Sequence, residues 1–231
     1  MRIVIIALAL FGVAISLRAP IVGALLIVPI VFATLHPNNE WLGPVVSSFK
    51  TDDHEVWLTI DDGPTDDTLS ILDLLDRHDV NATFFVKGVL AAAHPDRIAE
   101  IARRGHTIGN HSHTHPSARF WCLSPHAIAR EIDQCNAVIP PTKLFRAPIG
   151  HKNLFVHPLL RKRGMALVGF SARAFDAIER NPDMIASRIT RSLRPGAIVV
   201  LHQGREWSLP AMEKTIAAIR ERGYSFRNTN R

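Results

Sequence analysis

Beyond residue 52, short runs of β-branched and aromatic residues alternate with segments whose apolar positions recur at steps of three and four. The strand-like runs are 56–60, 82–86, 107–110, 143–146, 166–170 and 197–201, with a last one at 224–227. Helical patterns fill the intervals at 68–78, 96–104, 125–138, 154–163, 183–193 and 209–222. The last shows the period plainly in Leu209, Met212, Ile216 and Ile219, with Ser208 placed to cap it. Strands alternating with helices predict parallel strands joined by right-handed crossovers. Six or seven such units predict a (β/α) barrel or a barrel-like sheet. The chain carries no internal repeat and no low-complexity segment.

The N-terminus reads differently. Residues 3–17 and 21–35 are two uncharged apolar runs separated by Arg18-Ala19-Pro20. Each run of 15 residues makes a helix of roughly 22 Å, against a hydrocarbon core of about 30 Å. Two short helices, the second opened by Pro20, or one helix kinked at Pro29, therefore form an expected membrane anchor over 1–35. The block is long for a cleaved signal, although Val31-Phe32-Ala33 has the small residue such a signal needs. This predicts a membrane-anchored protein, placed at a bacterial inner membrane, whose sidedness Arg2 and Arg18 do not decide. Residues 36–51, rich in Pro, Gly, Asn and Ser, read as a linker, and 52–231 as one domain large enough for a proper core.

A net charge of +6 and a pI of about 9.9 favour acidic partners. The cations do not form a nucleic-acid stripe, however. Arg103-Arg104, Arg161-Lys162-Arg163 and Arg220-Glu221-Arg222 each precede a glycine, where a helix ends and a cation opposes the negative end of its dipole. No nucleic-acid partner is expected. Cys122 and Cys135 have no metal or redox spacing and read as ordinary small buried residues.

The polar residues that stand out all follow predicted strands. Asp61-Asp62 end the first, His111 and His115 follow the third, Arg146 ends the fourth, Asp176 lies past the fifth, and His202 follows the sixth. Parallel α/β folds assemble their sites at this end of the sheet. Two adjacent carboxylates, two imidazoles four residues apart and a further isolated imidazole suit a divalent cation of the Zn²⁺ type that keeps a position open for water. One Asp and two His suffice to hold it, leaving the other Asp and the third His to move protons. The four-residue spacing, read as a helical turn, would point His111 and His115 the same way and His113 elsewhere.

Five segments carry a resemblance. Thr59-Ile60-Asp61-Asp62-Gly63-Pro64, His111-Ser112-His113-Thr114-His115, Arg146-Ala147-Pro148-Ile149-Gly150, the stretch 170–176 and Val200-Leu201-His202 resemble, in order, the five motifs of the polysaccharide deacetylases of carbohydrate esterase family 4. The resemblance covers roughly residues 52–227 and implies a distorted (β/α) barrel. It implies metal-dependent removal of N-acetyl groups from an amino sugar of a cell-envelope glycan or lipid-linked saccharide. By the same resemblance Asp62, His111 and His115 are metal ligands, for Zn²⁺ with Co²⁺ or Mn²⁺ as substitutes. Asp61 is the general base, Arg146 holds it, and the Ile149 N–H stabilises the oxyanion. His202 is the general acid, oriented by Asp176. The chain departs from the pattern at Ala177, where the family carries Trp, and at Arg173, where it carries Asp. With a single tyrosine in the chain, a long polysaccharide groove is not expected; a short, acidic or lipid-linked sugar fits better. The alternatives are a deformylase or O-deacetylase of a related sugar, and a non-catalytic glycan-binding envelope module, which would need no proton-handling residues.

Overall fold

The computed structural model describes residues 20–117 and 119–227. After helix α1 (Pro20–Leu35) the chain runs β1 (Glu55–Gly63), α2 (Thr68–Arg77), β2 (Thr83–Val86), α3 (Gly88–Ala93), α4 (Pro95–Arg103), β3 (Thr107–Asn110), α5 (Pro125–Asn136) and β4 (Leu144–Phe145). It continues through α6 (Val156–Lys162), β5 (Ala166–Leu167), β6 (Ala172–Arg173), α7 (Pro182–Arg191), β7 (Ala197–His202), α8 (Ser208–Glu221) and β8 (Ser225–Phe226). The strands form one sheet in the order β5-β4-β3-β2-β1-β7-β6, with β8 also pairing β1. Every pairing between named strands is parallel, as crossover helices require.

The sheet curls without closing, because β5 and β6 at its two ends do not pair among the described residues. The expected barrel is thus a half-barrel. β1 is its axis: seven of its nine residues are buried, and its flanks are occupied by β2 and β7. Helices α2, α4, α7 and α8 pack Ile71, Leu75, Ile101, Ile189, Met212 and Ile216 against Leu58, Ile60, Phe84 and Val199 to make the main core.

Helix ends fall where the cation clusters predict. Gly105 and Gly223, at φ of 79° and 77°, stop α4 and α8 in the left-handed conformation that costs glycine least. Arg104 is also tied to Asp73, Asp76 and Glu100, and Arg163 to Asp133, which absorbs further positive charge. Two local expectations need correction, and two elements went unread. Ser208 lies inside α8, where its Oγ accepts from the Arg205 N–H, and Trp207 takes the capping position without a side-chain bond. Cys122 is exposed and only Cys135 is buried; neither is bridged. The short helix α3 and the two-residue strand β6 carry no period long enough to read.

At the N-terminus, α1 begins at Pro20 and carries Pro29, as the second apolar run predicts. It has 16 residues, about 24 Å. Among the described residues no helix is long and apolar enough to cross a membrane. The first apolar run, 3–17, lies outside the described residues. The stretch read as a linker is built into the domain. Leu42 and Val45 are buried, Val46 bridges to Val168, and Ser48 to Ala197. Asn38 donates to the Phe170 carbonyl. Lys152, fully buried, donates through Nζ to the carbonyls of His36 and Pro37, and burial pushes its amine down to about 8. These bonds satisfy backbone groups that an independent linker would leave to water.

Gly196 is where the linker meets β7. At φ 77° it accepts the Phe49 N–H, and a Cβ there would stand 1.9 Å from the Phe49 carbonyl oxygen. Gly196→Ala is therefore expected to lower stability by about 1–3 kcal/mol through left-handed strain, plus the clash. Urea unfolding measures the loss. Limited proteolysis should show new cleavage near Phe49; an unchanged midpoint and digest would mean the linker is not seated on β7.

Candidate active site

The site is built on one buried ion pair. Asp61 lies near the end of β1, in register with Phe85 of β2 and His202 of β7. Arg146, just past β4, reaches under it and is 1% exposed. Its Nη1 donates to Asp61 Oδ1 at 2.7 Å and to Thr59 Oγ1 at 2.8 Å, and its Nη2 donates to the Gly169 carbonyl at 2.8 Å. The guanidinium also stacks on the Phe85 ring, 4.1 Å from its centroid. Two buried charges survive at this depth because nearly every donor has an acceptor. The result is a carboxylate with one oxygen committed and the other, Oδ2, turned toward His111 at 3.7 Å.

Asp62 and the two histidines form the second group. Asp62 Oδ1 lies 3.8 Å from His111 Nε2 and 3.5 Å from His115 Nε2, and the two Nε2 atoms are 3.1 Å apart. His111 directs Nδ1 at the Arg146 carbonyl, 2.9 Å away. A carbonyl only accepts, so the neutral ring carries its proton on Nδ1 and presents a lone pair at Nε2. His115 Nδ1 is engaged by Ser117 Oγ at 3.0 Å. Burial pushes both imidazoles down, His115 to about 3 with the neighbouring His111 adding to the shift, so both stand neutral near pH 7. Burial alone would raise the Asp62 carboxyl. Lys87, together with His111 and His115 in the charged form they take only in acid, outweighs it and holds the group well below the ordinary carboxylate range. Asp62 Oδ1 is buried and accepts no aligned hydrogen bond, although Lys87 Nζ stands 2.9 Å away as an ion pair. A carboxylate oxygen facing two imidazole lone pairs is a donor set that fits a divalent cation. Neutral imidazoles held through their far nitrogens meet the usual requirement for ligands of fixed orientation.

The third group faces the first across the cavity. Asp176 accepts the backbone N–H of His202 at 2.6 Å on one oxygen and engages its Nδ1 at 2.9 Å on the other. Burial alone would lower the His202 imidazole. The hydrogen bond to Asp176 and that residue's charge, with Asp61 and Asp62 adding to it, raise it to about 9. The Asp176 carbonyl in turn accepts from Trp207 Nε1 at 2.8 Å, an indole supplied from the start of α8 where the expected Trp is Ala177.

A cavity of about 270 Å³ joins the three groups, lined also by Ile149, Phe170, Phe175 and Ile178. The turn Pro148–Gly150 bonds Gly150 N–H to Ala147 and His151 N–H to Pro148, leaving the Ile149 N–H outside its ladder. Ile149 itself sits at φ 49°, a genuine outlier for a β-branched residue. Asp62, Ser112, His115 and Phe175 also have positive φ. Of the six such non-glycine residues among those described, only Asp79 is remote from the site, which is where such strain concentrates.

The seven side chains and the one backbone donor singled out from the sequence therefore come together. One local reading is corrected: residues 111–117 are not helical. His111 and His115 converge because Ser112 and His115 adopt left-handed backbone at φ 65° and 53°, with Asn110 Oδ1 accepting the Ser112 N–H to hold the loop. His113 packs against Gly88, away from the pair. The reading missed Lys87 and Ser117. Lys87 was legible, since it is the residue directly after the second predicted strand, at the same end of the sheet as all the others. Ser117 carried no signal.

Comparison with known proteins places this geometry. The family described as Polysaccharide deacetylase matches residues 49–168, more than half of the chain. The chitooligosaccharide deacetylase of Rhizobium leguminosarum bv. trifolii is 34% identical over 198 residues, covering 77% of this chain and 91% of that protein. Among solved structures, a family 4 carbohydrate esterase from Streptomyces lividans in complex with acetate aligns with a TM-score of 0.69 at 27% identity, over 75% of this chain and 91% of its own. A family 4 pseudoenzyme from Bacillus anthracis aligns at 0.71 and 26% identity, over 78% of this chain and 65% of its own. The half-barrel with its sheet-end cluster of Asp, His and Arg is thus the fold of a known group, and this chain belongs to the polysaccharide deacetylase family.

Proposed function

We propose that this protein is a metal-dependent hydrolase that removes the N-acetyl group of an amino sugar. One observation carries the reading. Asp62 Oδ1 and the Nε2 atoms of His111 and His115 face one another between two charged pairs, Asp61–Arg146 and Asp176–His202. A module that only bound glycan would need neither pair. The pseudoenzyme among the structural relatives makes that distinction a real one for this fold.

Asp62, His111 and His115 would hold the cation, Zn²⁺ by the chemistry of the donors. A divalent cation there supplies Lewis acidity, acidifying water and polarising a carbonyl. Asp61 takes a proton from the attacking water through Oδ2, the oxygen Arg146 leaves uncommitted, and Arg146 keeps the carboxylate from rotating away. The Ile149 N–H is offered to the oxyanion of the tetrahedral intermediate. His202, protonated below about pH 9, delivers a proton to the departing amine. Its Nδ1 is occupied by Asp176, so Nε2 is the nitrogen that donates. The C–N bond breaks and acetate leaves.

Acetate release from a panel of acylated amino sugars, with and without chelator, tests the reading and separates acetyl from formyl and N- from O-linked groups. Chelation is expected to abolish turnover and Zn²⁺ to restore it; turnover indifferent to chelator would sink the metal assignment. Asp61→Asn keeps an acceptor for Arg146, and His202→Ala removes only the acid. Each is expected to retain one bound Zn²⁺ by calorimetry while losing at least about 100-fold in rate. Either variant turning over like wild type contradicts its role.

Asp176→Asn bears on the acid alone. It removes the charge that raises His202 and leaves the burial that lowers it. The acid form is the active one, so activity falls as pH rises through the folded pKa. The alkaline limb of the kcat profile should therefore move to lower pH in the variant, by about a unit or more. A limb that stays in place would assign it to another group.

A further inference from the structure

The charged groups lining the cavity divide into those that are matched and those that are not. Asp61 is paired with Arg146, Asp176 with His202, and Asp62 faces the imidazole pair and Lys87. Two further guanidinium groups line the same cavity, those of Arg173 and Arg205. Among the described residues neither lies within ion-pair distance of a carboxylate, whereas Arg97, Arg103, Arg104, Arg163 and Arg188 on the outer surface do. Arg173 is held in place. Its guanidinium lies 4.0 Å from the centroid of the Phe175 ring and 5.5 Å from that of Phe170, both rings also facing the cavity. Stacking of this kind orients the planar fork while leaving its N–H groups free to bind. Arg205 follows Gly204 and lines both this cavity and a second one of about 390 Å³, so it stands where the two meet.

Resting on the deacetylase reading, we infer that Arg173 and Arg205 form an anion subsite that selects an N-acetylated amino sugar bearing a phosphate group. Two guanidinium forks match the two charges and several acceptor oxygens of a phosphate monoester, whereas a single carboxylate satisfies one fork. Arg173 and Arg205 act on recognition and not on bond cleavage. Their contribution is felt in KM and weakens as salt rises.

The test compares kcat/KM for N-acetylglucosamine 1-phosphate with that for the methyl glycoside of N-acetylglucosamine, in wild type, Arg173→Gln, Arg205→Gln and the double variant. Both side chains are exposed, so neither change threatens the fold. Wild type is expected to favour the phosphorylated sugar by about 10-fold or more. That ratio should drop severalfold in each single variant and approach one in the double, with the change residing in KM. A wild-type ratio near one, or a ratio unmoved in the double variant, overturns the subsite while leaving deacetylation intact. A preference for N-acetylmuramic acid over the phosphorylated sugar overturns the choice of phosphate. If neither sugar is hydrolysed, it is the deacetylase reading that fails, and the subsite is decided by calorimetric binding of glucosamine 1-phosphate. An affinity at least about 10-fold weaker in the double variant upholds it, and equal affinity refutes it.

Discussion

The buried pair of Asp61 and Arg146 is the constraint around which the site is arranged. A carboxylate 3% exposed and a guanidinium 1% exposed are tolerable only together, and only if the remaining N–H groups find acceptors. Those acceptors come from separate places: Thr59 on β1, Val168 and Gly169 after β5, with Phe85 of β2 beneath the guanidinium plane. Satisfying one side chain thus draws the ends of four strands toward a point. The carbonyl of Arg146 then fixes His111, so the same residue that steadies one carboxylate also orients an imidazole of the neighbouring group.

This dependence explains why the site tolerates backbone strain. Asp62, His115, Ile149 and Phe175 occupy left-handed conformations that cost on the order of 1–3 kcal/mol each, and they line the same cavity as Asp61 and Arg146. At Asp62, His115 and Ile149 the strain has an identifiable use. Adjacent carboxylates Asp61 and Asp62 are sent in different directions, the histidine pair converges without a helix, and the Ile149 N–H is released from its turn. Rigidity bought by the buried pair is what these distortions draw on.

The N-terminal segment has the same logic at lower cost. Residues 36–49 look like a linker because Pro, Gly and Asn break every period, yet Val46 bonds them to the edge strand β5, Asn38 to Phe170 between β5 and β6, Phe49 to Gly196 just before β7, and Lys152 to the loop after β4. They cover backbone groups near the gap between β5 and β6, where a closed barrel would have needed no cover.

The family, the parallel α/β architecture and the set of residues that gather at one cavity were legible in the chain alone. Hydrophobic periods locate strands and helices, and the end of each strand names the residue that will face the site; even Lys87 obeys that rule. What the sequence could not determine is how those residues meet. The two-residue strands β5 and β6, too short to carry a period, decide that the barrel stays open. The spacing of His111 and His115 suits a helical turn, but left-handed backbone at Ser112 and His115 brings the rings together instead. Left-handed φ in a non-glycine residue has no local sequence signature, because it is unfavourable locally and is imposed by contacts from elsewhere in the fold. For the same reason the unmatched state of Arg173 and Arg205 emerges only in three dimensions: whether a charge has a partner is a property of the packed chain, not of its neighbours in sequence.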